Sequence, residues 1–251
     1  MLSKIDLNCD LGEFYGMYDD VRDSKIMPYI TSCNIACGFH SGDPVAISNT
    51  IKLALEHDVA IGAHPSYPDL QGFGRRIMNL TQEELVACVL YQVSALKGMV
   101  ESFGSELHHV KPHGALYNFA AKDEQTAVGV VKAIVQIQEG MMIYAPAKSV
   151  LREVAEDAGL NVRSEIFADR RYEDDLSLRS RKLEGAVLKK NEEVLQQLAG
   201  FLDGIVYTHD GLDLPIEAET ICLHSDTEGA EELAKEIHDF LIKHDVRITA
   251  D

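Results

Sequence analysis

No tryptophan occurs in this chain, and positive charge is scarce: 23 lysines and arginines face 41 aspartates and glutamates, a formal charge of −18. That balance excludes a role built on nucleic-acid backbones, which need a basic face to neutralise phosphates. The marks of common nucleotide sites are missing too. There is no GxxxxGK[ST] loop and no dinucleotide fingerprint, so any use of ATP has to come through another scaffold or a partner. A GxSxG nucleophile elbow, an HExxH helix and paired CxxC spacings are likewise absent, which removes the best-marked serine hydrolase and zinc patterns.

Cysteine is sparse, odd in number and scattered (Cys9, Cys33, Cys37, Cys88, Cys222). Three of the five sit in apolar strand-like runs, where a thiol behaves as a small hydrophobe, so reduced structural thiols are expected. No apolar run approaches the length of a membrane span. Met1 leads directly into a strand-like segment without a basic and apolar leader, so no signal peptide is expected and the chain reads as soluble and cytoplasmic. Composition allows a homo-oligomer but does not require one.

What is present is enough for a large core: 251 residues, 46% of them hydrophobic. No linker, low-complexity tract or fixed-period repeat divides them, so residues 1–251 are expected to form one domain. Strand-like runs at Lys4–Asp10, Thr31–Cys37, Val59–Ala63, Leu107–Pro112, Met141–Ala145, Asn161–Ala168 and Thr220–Leu223 alternate with helical patterns or loops. Thr81-Gln-Glu-Glu84 is a capping box, and Leu85, Val89, Val93, Leu96, Val100 and Phe103 mark one stripe of the helix it starts. Ile205 to Ile216 reads as a hairpin excursion. Seven strands in this rhythm predict a single β/α barrel of the α/β class, with a doubly wound open sheet as the alternative.

The polar residues gather at strand ends, where barrel sites form. On the first strand Ile5, Leu7 and Cys9 share one face and Asp6, Asn8 and Asp10 the other, which predicts a polar barrel interior. The stretch from His109 to Asn118 puts His109, Lys111 and His113 on one face, and an unpaired buried ammonium is a poor core residue. His40, His64, His113 and His224 each follow an apolar strand. One histidine at a strand end is more often a hydrogen-bonding core residue than a base or ligand, but four in the same position point to a site. Glu13, Asp169, Arg170 and Asp226 join the set, and the Gly-rich loop from Tyr67 to Arg76 adds Arg75 and Arg76. Carboxylates with histidines could hold Zn²⁺ or Mn²⁺, with Asp6, Asp10, His40 and His64 as the ligand set. The same groups without metal could perform acid–base work on an amide.

The motifs Asp6-Leu-Asn-Cys-Asp-Leu-Gly-Glu13, Asn34-Ile-Ala-Cys-Gly-Phe-His40, Gly62-Ala-His-Pro65, Gly72-Phe-Gly-Arg-Arg76, Val110-Lys-Pro-His-Gly-Ala-Leu-Tyr-Asn118 and Phe167-Ala-Asp-Arg170 resemble the LamB/YcsF family, in order along essentially the whole chain. That resemblance implies a barrel related to the sugar and polysaccharide deacetylases. It also implies the role of the A subunit of an ATP-dependent 5-oxoprolinase, opening 5-oxoproline (pyroglutamate) to L-glutamate with ATP hydrolysis, in company with subunits B and C. On this reading Asp10, Glu13, His64, Lys111 and His113 are catalytic, with Asp10 or His113 as base and Lys111 facing an oxyanion. Asn8, His40, Arg75, Arg76, Asp169, Arg170, His224 and Asp226 would bind substrate. Ser66, Leu176 and Ser225 depart from the family pattern, each standing where glycine is expected. The rival readings are a metal-dependent deacetylase acting alone and a non-catalytic binding subunit.

Overall fold

The computed structural model describes residues 2–15, 21–225 and 229–251. Its strands are β1 (Lys4–Leu11), β2 (Ser32–Ala36), β3 (Ala60–His64), β4 (His109–Val110), β5 (Met142–Pro146), β6 (Asn161–Phe167), β7 (Ile205–Tyr207), β8 (Asp213–Pro215), β9 (Thr220–His224) and β10 (Arg247–Ile248). Its helices are α1 (Val21–Ile26), α2 (Pro44–Glu56), α3 (Gln82–Ser102), α4 (Gly114–Ala120), α5 (Glu124–Ile137), α6 (Val150–Asp157), α7 (Asn191–Leu202) and α8 (Ala230–Lys243). From β1 to β6 each strand pairs in parallel with the next, and β9 pairs with both β6 and β1. This closes a seven-stranded barrel and rules out the open sheet. β7 and β8 form the antiparallel hairpin, and β10 adds two parallel pairs below β1.

Local signals explain most boundaries. Asp43 caps α2, its carboxylate accepting from the amides of Val45 and Ala46, with Pro44 in the first turn. Thr81 and Glu84 complete the capping box of α3. Leu85, Val89, Val93, Leu96 and Val100 are buried as the stripe predicts, but Phe103 is not. It lies past the helix end, where Lys52 sits 5.7 Å above its ring. Among the described residues only α3 is long and apolar enough to cross a membrane by length and composition, with a mean hydropathy of 1.2 over 18 of its 21 residues. Here its apolar stripe packs against the barrel. The segment after Pro112 is not only a turn, because Gly114, at φ +52°, leads straight into the short α4. Gly185–Leu188 forms no strand and makes one isolated bridge, between Val187 and Arg170.

The alternation of β1 decides the character of the interior. Ile5, Leu7, Cys9 and Leu11 are buried against the helices, while Asp6, Asn8 and Asp10 are buried among the other strands' inward side chains. Asp6 accepts from the hydroxyls of Thr31, Ser32 and Thr220 at 2.6–2.8 Å. Above it Asn34 donates to Asn8 and Asp10, and His109 donates to Asn34. Most small barrels fill this space with branched apolar side chains. Polar rings tolerate the exchange only because nearly every donor meets an acceptor.

His109 fits because β3 leaves room. Its ring stacks on Tyr144 with centroids 3.8 Å apart, and a Cβ added at Gly62 would lie 2.1 Å from its Nε2. Gly62→Ala must therefore push His109 from Asn34. Urea unfolding should show a loss of roughly 1–3 kcal/mol, the usual cost of overpacking a filled interior, and unchanged stability would mean that His109 has room to move.

Candidate active site

The site grows upward from the polar interior to the C-terminal rim. Lys111 is 2% exposed, and its Nζ lies 3.0 Å from Asp10 Oδ1, 2.9 Å from Glu165 Oε1, 3.2 Å from Asn8 Oδ1 and 2.9 Å from Cys222 Sγ. Burial opposes its charge, but Asp10, Cys222 and Glu165 together hold its pKa well above the ordinary lysine value. Burial likewise opposes the charge of Asp10, yet His64 and Lys111 hold that carboxyl well below the usual range. Four acceptors thus share the three protons of one ammonium. For Lys111 to face an oxyanion, one of the four has to give way.

Beside this hub stand Glu13, His40, His64 and His113, with ligand atoms all within 4.8 Å of one another. His40 and His113 stack with centroids 3.7 Å apart. Their positions come from three loops. Glu13 follows Gly12 at the end of β1, His40 follows β2, and Gly74 (φ +62°) lays the Gly-rich loop across the histidines. A Cβ on Gly74 would meet His113 Cδ2 at 2.7 Å and His40 Cβ at 2.9 Å. That loop is therefore ordered by covering the cluster.

The partners of the histidines fix their tautomers. His64 Nδ1 lies 2.7 Å from the Lys111 carbonyl and His113 Nε2 2.9 Å from the Phe73 carbonyl, so both nitrogens carry hydrogen. The lone pairs left, His64 Nε2 and His113 Nδ1, face each other at 3.0 Å. Glu13 Oε1 lies 3.3 Å from His113 Nδ1 and 3.0 Å from His40 Nε2, and Asp10 Oδ2 lies 3.3 Å from His64 Nε2. Acceptors so close repel unless a cation sits among them, either one extra proton or a metal ion. Burial, then neighbouring histidines, lowers the pKa of His40 and His113 well below the imidazole value, which disfavours a proton on either ring. Among the described residues His40 Nδ1 is buried without a hydrogen-bond partner. The donor set of imidazoles and carboxylate suits Zn²⁺ or a similar ion, with backbone carbonyls behind two of the rings.

A cavity of about 890 Å³ opens over these groups and is lined by Asp10, His64, Arg75, Lys111, His113, Tyr117, Glu165, Arg170 and His224 among others. Asp169, 1% exposed, holds His224 Nδ1 at 3.0 and 3.1 Å. Burial works against the Asp169 charge, but His224 prevails and keeps its pKa below the usual value. Arg170 donates to the carbonyls of Ala186 and Arg179, and burial lowers its pKa to about 10.

Several expected residues lie elsewhere. Asp6 is bound to Thr31, Ser32 and Thr220 at the far end of the barrel, and Asp10, though 3.3 Å from His64, belongs with Cys222 and His224; Glu13 and His113 stand in place of these two aspartates beside His40 and His64. Asn8 is interior, bonded to Glu165 and Thr220. Arg76 turns outward onto Asp69, its side chain 64% exposed, and leaves Arg75 at the cavity. Asp226 lies outside the described residues. Of the glycine departures, Ser225 bonds the Asp10 carbonyl at 2.8 Å, Ser66 bonds the Tyr67 carbonyl at 2.9 Å, and Leu176 adopts φ +64°, a conformation that explains why glycine is expected there.

Sequence reasoning missed Glu165 and Tyr117. Glu165 is 1% exposed and joins Lys111, Asn8 and the Tyr117 hydroxyl, the last at 2.5 Å. The signal was an acid placed between Ser164 and Ile166 in an otherwise buried strand end. Tyr117 was hidden by the unrecognised α4.

Comparison with known proteins agrees with this picture. A family model described as LamB/YcsF matches residues 5–250. A protein of Acinetobacter baumannii (strain ACICU), named as the A subunit of 5-oxoprolinase, is 50% identical over 97% of this chain and 96% of its own length. One of the same name from Bacillus cereus (strain AH187) is 45% identical over 94% of both. The crystal structure of the lactam utilization protein from Thermus thermophilus superposes with a TM-score of 0.93 at 40% identity, covering 99% of this chain and all of that one. With the family matched from the first strand to the last, the chain belongs to the LamB/YcsF family.

Proposed function

We propose that this chain is the ring-opening subunit of an ATP-dependent 5-oxoprolinase, hydrolysing the activated lactam of 5-oxoproline to L-glutamate. The observation that carries the reading is the identity of 45–50%, over nearly full length, to proteins named as the A subunit of 5-oxoprolinase. The site supports it with a buried, charged hub under a cavity large enough for a small cyclic amide and an activating group.

The need for ATP follows from the substrate. A five-membered lactam keeps amine and carboxyl together, an intramolecular advantage of about 7–11 kcal/mol in good cases, which opening must overcome. Phosphorylation of the lactam oxygen supplies the drive and a leaving group. This sequence has no phosphate loop, so partner subunits B and C handle ATP, and this chain performs the attack of water. Arg75 or Arg170 takes the substrate carboxylate, and Asp10 with its neighbouring histidines makes one wall polar enough to orient water.

A second reading is favoured by the facing lone pairs of His64 and His113. A divalent ion held by Glu13, His64 and His113, with His40 beside them, would supply a Lewis acid and an acidified water when bound. Dialysis against Co²⁺ should then give one equivalent bound with visible absorption bands, both lost in Glu13→Gln. No uptake by folded protein would mean that a proton, not a metal, separates the lone pairs.

The primary test follows glutamate and ADP release from 5-oxoproline and ATP, with this chain alone and with candidate B and C subunits. Turnover only in the mixture is expected. Activity alone would require an ATP site in this chain, and silence in a verified mixture would refute the assignment.

Lys111→Met should cut turnover in that mixture at least about 100-fold, the scale of losing a preorganised charged group. It should also lower stability by about 3–5 kcal/mol, because Asp10 and Glu165 are left buried without their cation. Full turnover would overturn the central place given to Lys111.

A further inference from the structure

Among the histidines of the rim, one differs in what its second nitrogen does. His64 uses both ring nitrogens, on the Lys111 carbonyl and against His113. His113 also uses both, against His64 and on the Phe73 carbonyl. The His40 side chain is sealed off with no exposure. His224 differs from these: one ring nitrogen is held by a carboxylate, the other makes no hydrogen bond among the described residues, and the ring lines the cavity.

We propose that His224 is a catalytic residue of the ring opening, carrying a proton from the attacking water to the departing ring nitrogen, with Asp169 as its positioning residue. The inference rests on the hydrolytic reading above. A carboxylate can only accept, so the contacts at 3.0 and 3.1 Å put the hydrogen on His224 Nδ1. The neutral ring then presents its lone pair at Nε2. Among the described residues Nε2 makes no hydrogen bond, while the His224 side chain is 13% exposed and lines the cavity. A ring nitrogen of His224 also lies within 4.8 Å of an Asp10 carboxylate oxygen and of Cys222 Sγ, which places it beside the Lys111 hub. The Phe167 ring lies nearly parallel to His224, with centroids 5.7 Å apart and an angle of 18°, and limits its rotation.

An imidazole aligned by a buried carboxylate is the arrangement that lets one group serve as base and then acid. As water adds to the carbon of the O-phosphorylated lactam, an oxygen lone pair forms the new C–O bond, the C=N π pair moves onto the ring nitrogen, and Nε2 takes a water proton and passes it to that nitrogen. When the C–N bond breaks, its electron pair stays on nitrogen, which receives the remaining water proton through the same imidazole as the hydroxyl re-forms C=O. The product is an acyl phosphate, from which a second water releases phosphate to leave L-glutamate. His224 ends neutral, as it began, and no redox partner is needed. Asp169 stays ionised throughout and stabilises the transient imidazolium. The Asp10 and His64 wall, whose acceptors already face one another, has no such free lone pair.

The test uses the full chain with its partner subunits, ATP and 5-oxoproline. His224→Ala should lower kcat by about 10²–10⁴-fold with KM little changed, the usual range for losing a general acid–base group. Added imidazole should restore part of that loss, and should restore none in Lys111→Met. Asp169→Asn should lower kcat by up to about 10⁴-fold, since the amide can favour the wrong tautomer. In proton NMR the wild type should show a far-downfield Nδ1–H resonance that disappears in Asp169→Asn and His224→Ala. A His224→Ala protein that is folded by circular dichroism and keeps its kcat with a raised KM would make His224 a substrate contact and overturn the proposal. So would a loss of kcat that imidazole does not relieve, or a missing wild-type resonance. Silence of the wild type in the same mixture would refute the ring-opening reading itself.

Discussion

An ammonium enclosed by acceptors inside a barrel is the constraint on which the rest of this structure turns. Lys111 cannot be buried unless Asp10 and Glu165 come with it, for a lone charge in such a place costs many kcal/mol. Those two carboxylates arrive on β1 and β6, strands far apart in sequence that both neighbour β9. Asn8 and Asn34 then fill the space below with groups that can both give and accept. Closure of the barrel and assembly of the charged layer are therefore one event: an open sheet would separate Asp10 from Glu165 and leave Lys111 half paired.

The layer above inverts that relation. Around Lys111 one cation satisfies several acceptors, whereas His64 and His113 turn their lone pairs toward each other beside the carboxylates of Asp10 and Glu13. Covering such a cluster is costly for a chain unless something enters it. Yet the loop from Tyr67 to Arg76 covers it closely, using Gly74 to approach His40 and His113, and holds its own shape by tying Arg76 to Asp69. Phe73 is held at φ +53° where its carbonyl meets His113, a conformation usually kept only where neighbours impose it. This Gly-rich loop is the wall that fixes one histidine tautomer.

Much of this was legible in the amino-acid sequence, because period-two alternation and strand-end position are local properties. The inward face of β1, the place of His40, His64, His113 and His224 at strand ends, and the barrel itself all follow from patterns a few residues long. What failed was long-range. Asp6 and Asp10 share a face and look alike, but four residues of strand put them in different layers, and only Asp10 reaches the histidines. Arg75 and Arg76 are adjacent and indistinguishable until Asp69 claims one of them. Glu165 needed knowledge that β6 borders β9, and Tyr117 needed a helix begun by a glycine at positive φ, which no capping residue announces. Asp169 and His224 were visible as polar residues after strands, but their pairing across 55 positions was not.

The division between these two layers also says where proton traffic can run. At the hub every donor is engaged, and moving a proton there would leave a buried ion without its partner. Among the histidines over Glu13 the lone pairs are turned toward each other, suited to holding a cation in place. Proton exchange with a bound amide needs a group whose hydrogen-bond partner is fixed on one side and replaceable on the other. At the rim, Asp169 fixes His224 from behind and the cavity lies in front, so the ring can change charge while its carboxylate stays put. Charge that must stay is buried in the barrel, and charge that must move is kept at its mouth.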